Sequence, residues 1–153
     1  MSDRIETIKS FALLGFTRLE NVTKELNEEQ LDWKYCPQAN TARWLLTHLS
    51  NELHVYIPKI LKGDKDYYPE GWPEDYTGNT GYSLEKILGD IEEGKKKLIK
   101  SLEETTDENL DKEMEWFWGK MPRLSYLNLM VSEILHHGGQ IAAISGVKKR
   151  IVG

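Results

Sequence analysis

The chain has 153 residues, of which 39% are hydrophobic and 29% are charged, and its formal net charge is −5. This length and composition predict one globular domain over residues 1–153 and argue against a disordered or fibrous chain. The acidic balance makes nucleic acid an unfavourable partner, no apolar run approaches the roughly 18 to 20 residues of a membrane span, and the single cysteine, Cys36, cannot form an intrachain disulfide.

The first helix is predicted from apolar residues that recur at steps of three and four between Ile5 and Leu26. We expect this helix to end at Asn27. Asn27 also forms a capping-box pattern with Gln30, three residues further on. This pattern predicts a short extra turn, which is followed by a loop over residues 32–41.

The second helix is predicted to begin at Asn40 or Thr41 and to carry His48 on its apolar stripe. Pro58 lies near the end of the same periodic segment. Because proline has no N–H to donate to the carbonyl of His54, we expect the helix to kink or to end near this point.

A long segment over residues 63–82 is rich in glycine and proline and predicts an irregular loop. It also carries five aromatic residues, which are Tyr67, Tyr68, Trp72, Tyr76 and Tyr82. Ordered loops of this length are uncommon in compact domains and often have a function. The aromatic residues would serve equally well as a cover over the core, so both interpretations stay open.

The third helix is predicted to begin after the capping residue Ser83, and the fourth near Ser125 with Gly146 as its C-terminal cap. Between them, residues 105–122 form a second irregular segment that contains the aromatic run Trp116–Trp118. No segment reads convincingly as a strand. The sequence therefore predicts an all-α fold, a four-helix bundle with long crossover loops.

Three potential metal ligands lie on apolar stripes of two predicted helices. His48 is on the second helix, and Glu133 and His137 are four residues apart on the fourth, so that both project from one face. Taken alone, His48 is explained as a core histidine with a hydrogen-bond partner, and the Glu133–His137 pair as a surface ion pair. Together on apolar stripes, the three side chains favour a site for one divalent cation.

The other histidines are assigned to different roles. His136 is rotated by about 100° from His137 on the helix, so it is expected to support the site from outside or to face solvent. His54 is expected to be structural. Two glycines follow the ligand pair, Gly138 and Gly139, and we expect close approach of a helix or substrate there, with a hydrogen bond from Gln140 across the contact.

Two segments of the chain resemble the DinB/YfiT-like family. Residues 26–53, LNEEQLDWKYCPQANTARWLLTHLSNEL, are similar to the family's pattern of a short turn, a proline loop and a helix that leads to the first metal histidine, here His48. Residues 134–141, ILHHGGQI, resemble its second signature, in which the second histidine, here His137, is a ligand. The family usually has a further histidine four residues earlier, where this chain has Glu133.

The resemblance implies a helical bundle, often a homodimer, with one divalent metal held by His48, Glu133 and His137. Two histidines and one carboxylate still form a facial triad with open positions. Zinc is the first expectation, and nickel, iron and manganese are compatible with the same donors. No residue is assigned to an organic cofactor, and no catalytic residue is assigned.

The resemblance also implies a function, since characterised members include thiol transferases and isomerases that use low-molecular-weight thiols. We therefore expect a metal-dependent enzyme that acts on a small molecule in the cytoplasm, because Asp3, Arg4 and Glu6 argue against a secretory signal. Two alternatives remain. One is a non-catalytic small-ligand-binding or stress-response protein whose metal is structural or absent, and the other is a helical module that contacts a partner protein through Glu133.

Overall fold

The computed structural model describes residues 1–152, which are mostly helical, as the sequence predicts. The α-helices are α1 (Asp3–Thr23), α2 (Ala42–Asn51), α3 (Ile57–Lys62), α4 (Leu84–Glu104), α5 (Asp107–Asp111) and α6 (Arg123–Ile151). A 3₁₀ turn spans Glu28–Gln30, a π-helical segment spans Glu52–Tyr56, and the strands are β1 (Glu113–Trp116) and β2 (Gly119–Pro122). None of the described helices is both long and apolar enough to span a membrane.

The apolar stripe of α1 packs against α6 and α4, and α6 also packs against α2 and α3. The core lies between these helices and includes Phe16, Leu45, Leu49, Ile91 and Ile134. Each of these residues belongs to a stripe with three- and four-residue spacing, so burial follows from helical periodicity. This packing brings the middle of α2 next to the middle of α6.

Helix α1 ends at Thr23, four residues before the predicted end at Asn27. The Leu26 N–H bonds to the Thr23 carbonyl, so the chain tightens into a turn and leaves the α-helical path. The capping box is confirmed. The Asn27 side chain accepts from the Gln30 N–H, and the Gln30 side chain accepts from the Asn27 N–H.

Helix α2 begins after Thr41, whose side chain caps it as predicted. Pro58 does not end the helical segment. The backbone widens into a π-helical turn over Glu52–Tyr56, in which the Ile57 N–H bonds to the Glu52 carbonyl, and continues as α3. The wider turn accommodates the absence of an N–H at Pro58, because a π segment shifts the hydrogen-bond pattern by one residue.

Helix α4 approaches the π segment very closely at Gly94. A Cβ at this position would lie 2.7 Å from the Leu53 Cβ and 3.2 Å from the His54 Nε2. The His54 Nε2 in turn bonds to the Asp90 carbonyl of α4 at 2.7 Å. The glycine in the middle of α4 is therefore required by the contact with α2 and its extension.

The segment 63–82 covers the outside of α2 and α4. Tyr76 is fully buried, its hydroxyl donates to Asp90 Oδ2 at 2.5 Å, and Trp72 stacks on His54 with 4.1 Å between ring centroids. Arg43 binds the segment through the Tyr82 carbonyl. Trp72, Tyr76 and Tyr82 thus extend the core, as the second interpretation expects, whereas Tyr68 is 41% exposed.

The residues before α6 form a β-hairpin, so the expectation of a chain without strands is wrong. Strand β1 pairs antiparallel with β2, with Glu113 opposite Pro122 and Trp116 opposite Gly119. The turn residues are Phe117 and Trp118, and Gly119 has a φ of 87°, which favours glycine.

Helix α6 begins at Arg123, directly after β2, and continues to Ile151. The prediction that Gly146 caps this helix is therefore wrong. Gly146 does not have the positive φ of a left-handed C-cap, and the backbone pattern continues through it to the basic residues Lys148, Lys149 and Arg150 in the last turn. These cations lie at the negative end of the helix dipole, as expected.

Candidate metal centre

Helix α2 and the start of the π segment supply two side chains of the site. His48 and Glu52 are four residues apart, and the His48 Nε2 lies 3.1 Å from the Glu52 Oε1. The Glu52 side chain is only 4% exposed, whereas that of His48 is 23% exposed. Trp44, one turn earlier, stacks on the His48 ring with 4.7 Å between centroids and limits its rotation. Helical spacing thus directs both groups to the same side of α2.

Helix α6 supplies the other two side chains. The His137 Nε2 lies 2.7 Å from the Glu133 Oε2, and the His137 side chain is 7% exposed. The His137 Nδ1 lies 2.7 Å from the Gln140 Oε1, so the protonated Nδ1 donates to this amide oxygen. This bond selects the tautomer in which Nε2 is free to bind a cation.

The two pairs converge in the interior. One donor atom from each of His48, Glu52, Glu133 and His137 can be chosen so that all four lie within 4.8 Å of one another. The rings of His48 and His137 meet edge to face, with centroids 5.1 Å apart. Donors that share a zinc ion lie about 2 Å from it, hence at most about 4 Å apart, so movements of less than about 1 Å would bring all four into contact with one ion.

Two buried atoms of this cluster lack hydrogen-bond partners among the described residues. They are the Glu52 Oε2 and the His137 Nε2. Although the His137 Nε2 is close to the Glu133 Oε2, the contact lacks the direction of a hydrogen bond. A buried polar atom without a partner costs about 1 to 3 kcal/mol. A cation between the four side chains would satisfy both atoms, and two imidazoles with two carboxylates suit a divalent metal of the zinc, iron or manganese type.

Burial acts in opposite directions on the pKa values of His48 and Glu52. Burial favours neutral His48, but the close contact with Glu52, the charge of Glu52 and that of Glu133 outweigh it and raise the pKa of the His48 imidazole. Burial raises the pKa of the Glu52 carboxyl, although His48 and His137 act in the opposite direction. Both shifts favour the protonated forms of the pair, so metal binding competes with protons at this site.

The remaining sequence expectations have mixed outcomes. His136 is exposed and faces solvent, and His54 is buried against α4 as a structural residue. The close approach expected at the two glycines is wrong. A Cβ at Gly138 would be 3.8 Å from Leu19, an ordinary contact, and one at Gly139 would meet nothing within 4 Å. Gln140 bonds within its own helix, to His137.

A pocket of about 580 Å³ opens beside the cluster. Its polar end is lined by His48, Glu52 and Glu133, and Lys59 lies elsewhere on its wall. The remaining lining is largely aromatic and apolar, with Tyr56, Trp116, Phe117, Trp118, Leu129 and Met130. The candidate metal site therefore opens to a space large enough for a small molecule.

Comparison with known families assigns the chain to one of them. The sequence matches the family profile described as the DinB superfamily over residues 15–141, which include all four donor residues of the site. The chain belongs to the DinB superfamily. No curated protein matches it significantly. The resemblance to DinB-like proteins found in the sequence is thus confirmed.

The structure brings together the three residues that the sequence singled out, His48, Glu133 and His137, and adds Glu52, which the sequence did not single out. The signal was present, because Glu52 follows His48 by four residues, the spacing that separates Glu133 from His137. The two helices of this DinB protein therefore each present one histidine and one glutamate with the same spacing.

Proposed function

We propose that this DinB protein is a metal-dependent enzyme that acts on a small molecule, with one divalent cation bound by His48, Glu133 and His137 and with Glu52 at the same site. The observation that carries the proposal is the convergence of four donor groups beside a pocket, two of them with buried atoms that have no hydrogen-bond partner among residues 1–152. Zinc is the first candidate, and nickel, iron and manganese fit the same donors.

A thiol transferase or isomerase is the reaction class that we favour. When bound, a divalent cation lowers the pKa of a thiol that coordinates it and holds the thiolate for attack. Glu52 lies at the same site and would accept the thiol proton, and a carboxylate whose pKa is raised by burial is a stronger base. Gln140 fixes the orientation of His137, and the remaining pocket wall, which is largely aromatic and apolar, would contact the body of a substrate.

One observation favours a second candidate, a non-catalytic protein that binds a small ligand or acts in a stress response. If all four side chains coordinate, the coordination shell of a zinc ion is complete, which is typical of structural sites. The enzyme proposal instead requires that Glu52 stays free to move protons. The role of Glu52 therefore separates the two candidates.

The proposal also includes the architecture, the location and the oligomeric state of the protein. We infer that α1, the α2–α3 segment, α4 and α6 form a four-helix bundle, and that residues 1–153 act as one domain, in the cytoplasm, as a homodimer. Light scattering of the eluting protein in size-exclusion chromatography tests the dimer, and a monomeric mass would contradict it.

The enzyme proposal is tested by a thiol-transfer screen with the zinc-loaded and nickel-loaded protein. Low-molecular-weight thiols and small electrophiles are the substrates, and thiol consumption is the readout. We expect metal-dependent turnover in the wild type and none in His137→Ala. Metal that binds tightly without any turnover, in a protein where Glu52→Gln weakens the binding, would support the non-catalytic candidate instead.

A further inference from the structure

The pocket beside the metal centre has two chemically different ends. His48, Glu52 and Glu133 lie at one end, and Lys59 supplies a positive charge elsewhere on the wall. Glu52, Tyr56 and Lys59 follow one another at steps of four and three on the same helical segment. At about 1.5 Å per residue, Lys59 is about 10 Å further along the axis than Glu52.

Much of the remaining pocket lining is aromatic, and its rings contact one another. Tyr56 and Trp116 meet edge to face with centroids 5.5 Å apart. The hairpin turn is bound to α6 by Tyr126, whose hydroxyl donates to the Gly119 carbonyl at 2.5 Å and accepts from the Trp118 N–H at 3.2 Å. The backbone of the hairpin turn is therefore held against α6 before any ligand enters.

Two of these rings expose much of their apolar surface. Phe117 is 50% exposed and Trp118 is 59% exposed, although both line the pocket. Ordered aromatic rings at a pocket mouth offer flat surfaces on which a planar apolar group can stack. The wall thus fits a ligand with a planar apolar body.

Lys59 is a cation without a partner in the part of the chain that the structure describes. No carboxylate of residues 1–152 lies within 4.0 Å of its Nζ, whereas Lys86, Lys95 and Lys97 on α4 all have such a carboxylate. Lys59 is also half-buried and lines the pocket wall. An anionic group of a ligand would complete its interactions.

We propose that the pocket selects small molecules that have a planar apolar body and a terminal carboxylate. The carboxylate binds Lys59, the body stacks on the hairpin aromatics, and the opposite end reaches the metal centre. The reverse orientation is disfavoured, because it would leave Lys59 without an anion. This inference rests on the proposed function, since the metal centre holds the reacting end of the ligand.

The test compares two probes that differ in charge alone. They are para-mercaptomethylbenzoate and its neutral carboxamide, and their affinities for the zinc-loaded protein are measured by calorimetry. We expect the carboxylate probe to bind about tenfold more tightly, the size of a partly desolvated charged hydrogen bond. Lys59→Met should remove this preference and leave the affinity for the carboxamide unchanged.

Two further variants complete the design. Lys62→Met removes a positive charge from the same helix at an exposed residue that contacts the Tyr67 ring and does not line this pocket, so it should retain the preference. Trp118→Ala should lower the affinity for both probes equally. Zinc content and melting temperature of every variant confirm that the site and the fold are intact.

The outcomes separate this inference from the proposed function. If the zinc-loaded protein binds both probes equally, or binds neither, the result contradicts this inference but not the proposed metal centre. A preference for the carboxylate that survives Lys59→Met also overturns it. A protein that does not bind zinc through the native histidines refutes the proposed function, and the inference falls with it.

Discussion

The Glu52 carboxylate lies one helical turn beyond His48, with its Oε1 3.1 Å from the His48 Nε2, and its buried Oε2 has no hydrogen-bond partner among the described residues. A buried carboxylate in this setting serves either as a ligand or as a proton acceptor. Which of the two roles it has decides whether the coordination shell is open or closed.

Substitution of Glu52 by glutamine distinguishes these roles. If Glu52 accepts a proton, as the enzyme proposal requires, Glu52→Gln should bind zinc within a few-fold of the wild type and lose about 100-fold or more in turnover. Glu133→Gln, at a proposed ligand, should lose about 10-fold or more in zinc affinity. Competition with a chromogenic chelator measures the affinities. Equal losses of zinc affinity in both variants would assign Glu52 as a ligand.

Alanine substitutions at the two glycines of α4 should change the free energy of unfolding in opposite directions. Gly94→Ala should lower the free energy of unfolding by about 1 to 3 kcal/mol, because the new Cβ would lie 2.7 Å from that of Leu53. Gly89→Ala meets nothing within 4 Å and should raise the same quantity by about 0.5 to 1 kcal/mol. Urea unfolding measures both. A stabilising Gly94→Ala would show that α4 does not approach the π segment so closely.

Arg43 connects α2 to two loops and should contribute more to the free energy of unfolding than surface cations do. Its guanidinium binds Asp32 through two bonds of 2.8 and 3.0 Å and donates to the Tyr82 carbonyl, with a side chain only 7% exposed. Arg43→Met should lower the free energy of unfolding by about 2 kcal/mol. The control is Lys97→Met, which removes an exposed ion pair with Glu93 and should cost less than about 0.5 kcal/mol.

Arg43→Lys refines this prediction, because lysine keeps the charge and loses the planar fork. We expect a loss in unfolding free energy close to that of Arg43→Met. If Arg43→Lys were as stable as the wild type, charge alone would explain the contact.

His54 should make stability depend on pH. Burial lowers the pKa of His54, against the effect of its bond to the Asp90 carbonyl, while Lys97 lowers it and Glu93 and Asp90 raise it. Just below the unfolded pKa of about 6.5, the unfolded chain binds a proton that the folded chain does not. The contribution of His54 to the free energy of unfolding is therefore greatest above about pH 6.5 and is lost as the pH falls.

The metal-free protein and His54→Gln provide the measurement. Between about pH 7.5 and about pH 5.5, the wild type should lose more unfolding free energy than the variant. His48 contributes with the opposite sign, because its raised pKa adds stability at low pH, and this contribution is common to both proteins. Identical pH profiles would mean that His54 titrates normally in the folded state.

Helical periodicity predicted the parts of this fold that depend on local sequence. The caps at Thr41 and Ser83 and the stripes of the long helices follow from side chains within one or two turns. His48, Glu133 and His137 were found for the same reason, since polar donors on an apolar stripe need a partner. Glu52 was missed because a glutamate in a helix is ordinarily a surface residue.

The features that the sequence did not reveal depend on tertiary contacts. Each strand of the hairpin has only four residues, and its turn is held by Tyr126 of the following helix. The π segment, which precedes Pro58 and accommodates its missing N–H, packs against Gly94, a residue far away in sequence. Local propensity carries no information about such partners.

Metal content of the protein purified without an affinity tag or chelator tests the central claim most directly. We predict about one divalent ion per chain in the wild type and none in His137→Ala, with both proteins folded by circular dichroism. A wild-type protein that contains no metal and does not take up added zinc or nickel would contradict the account.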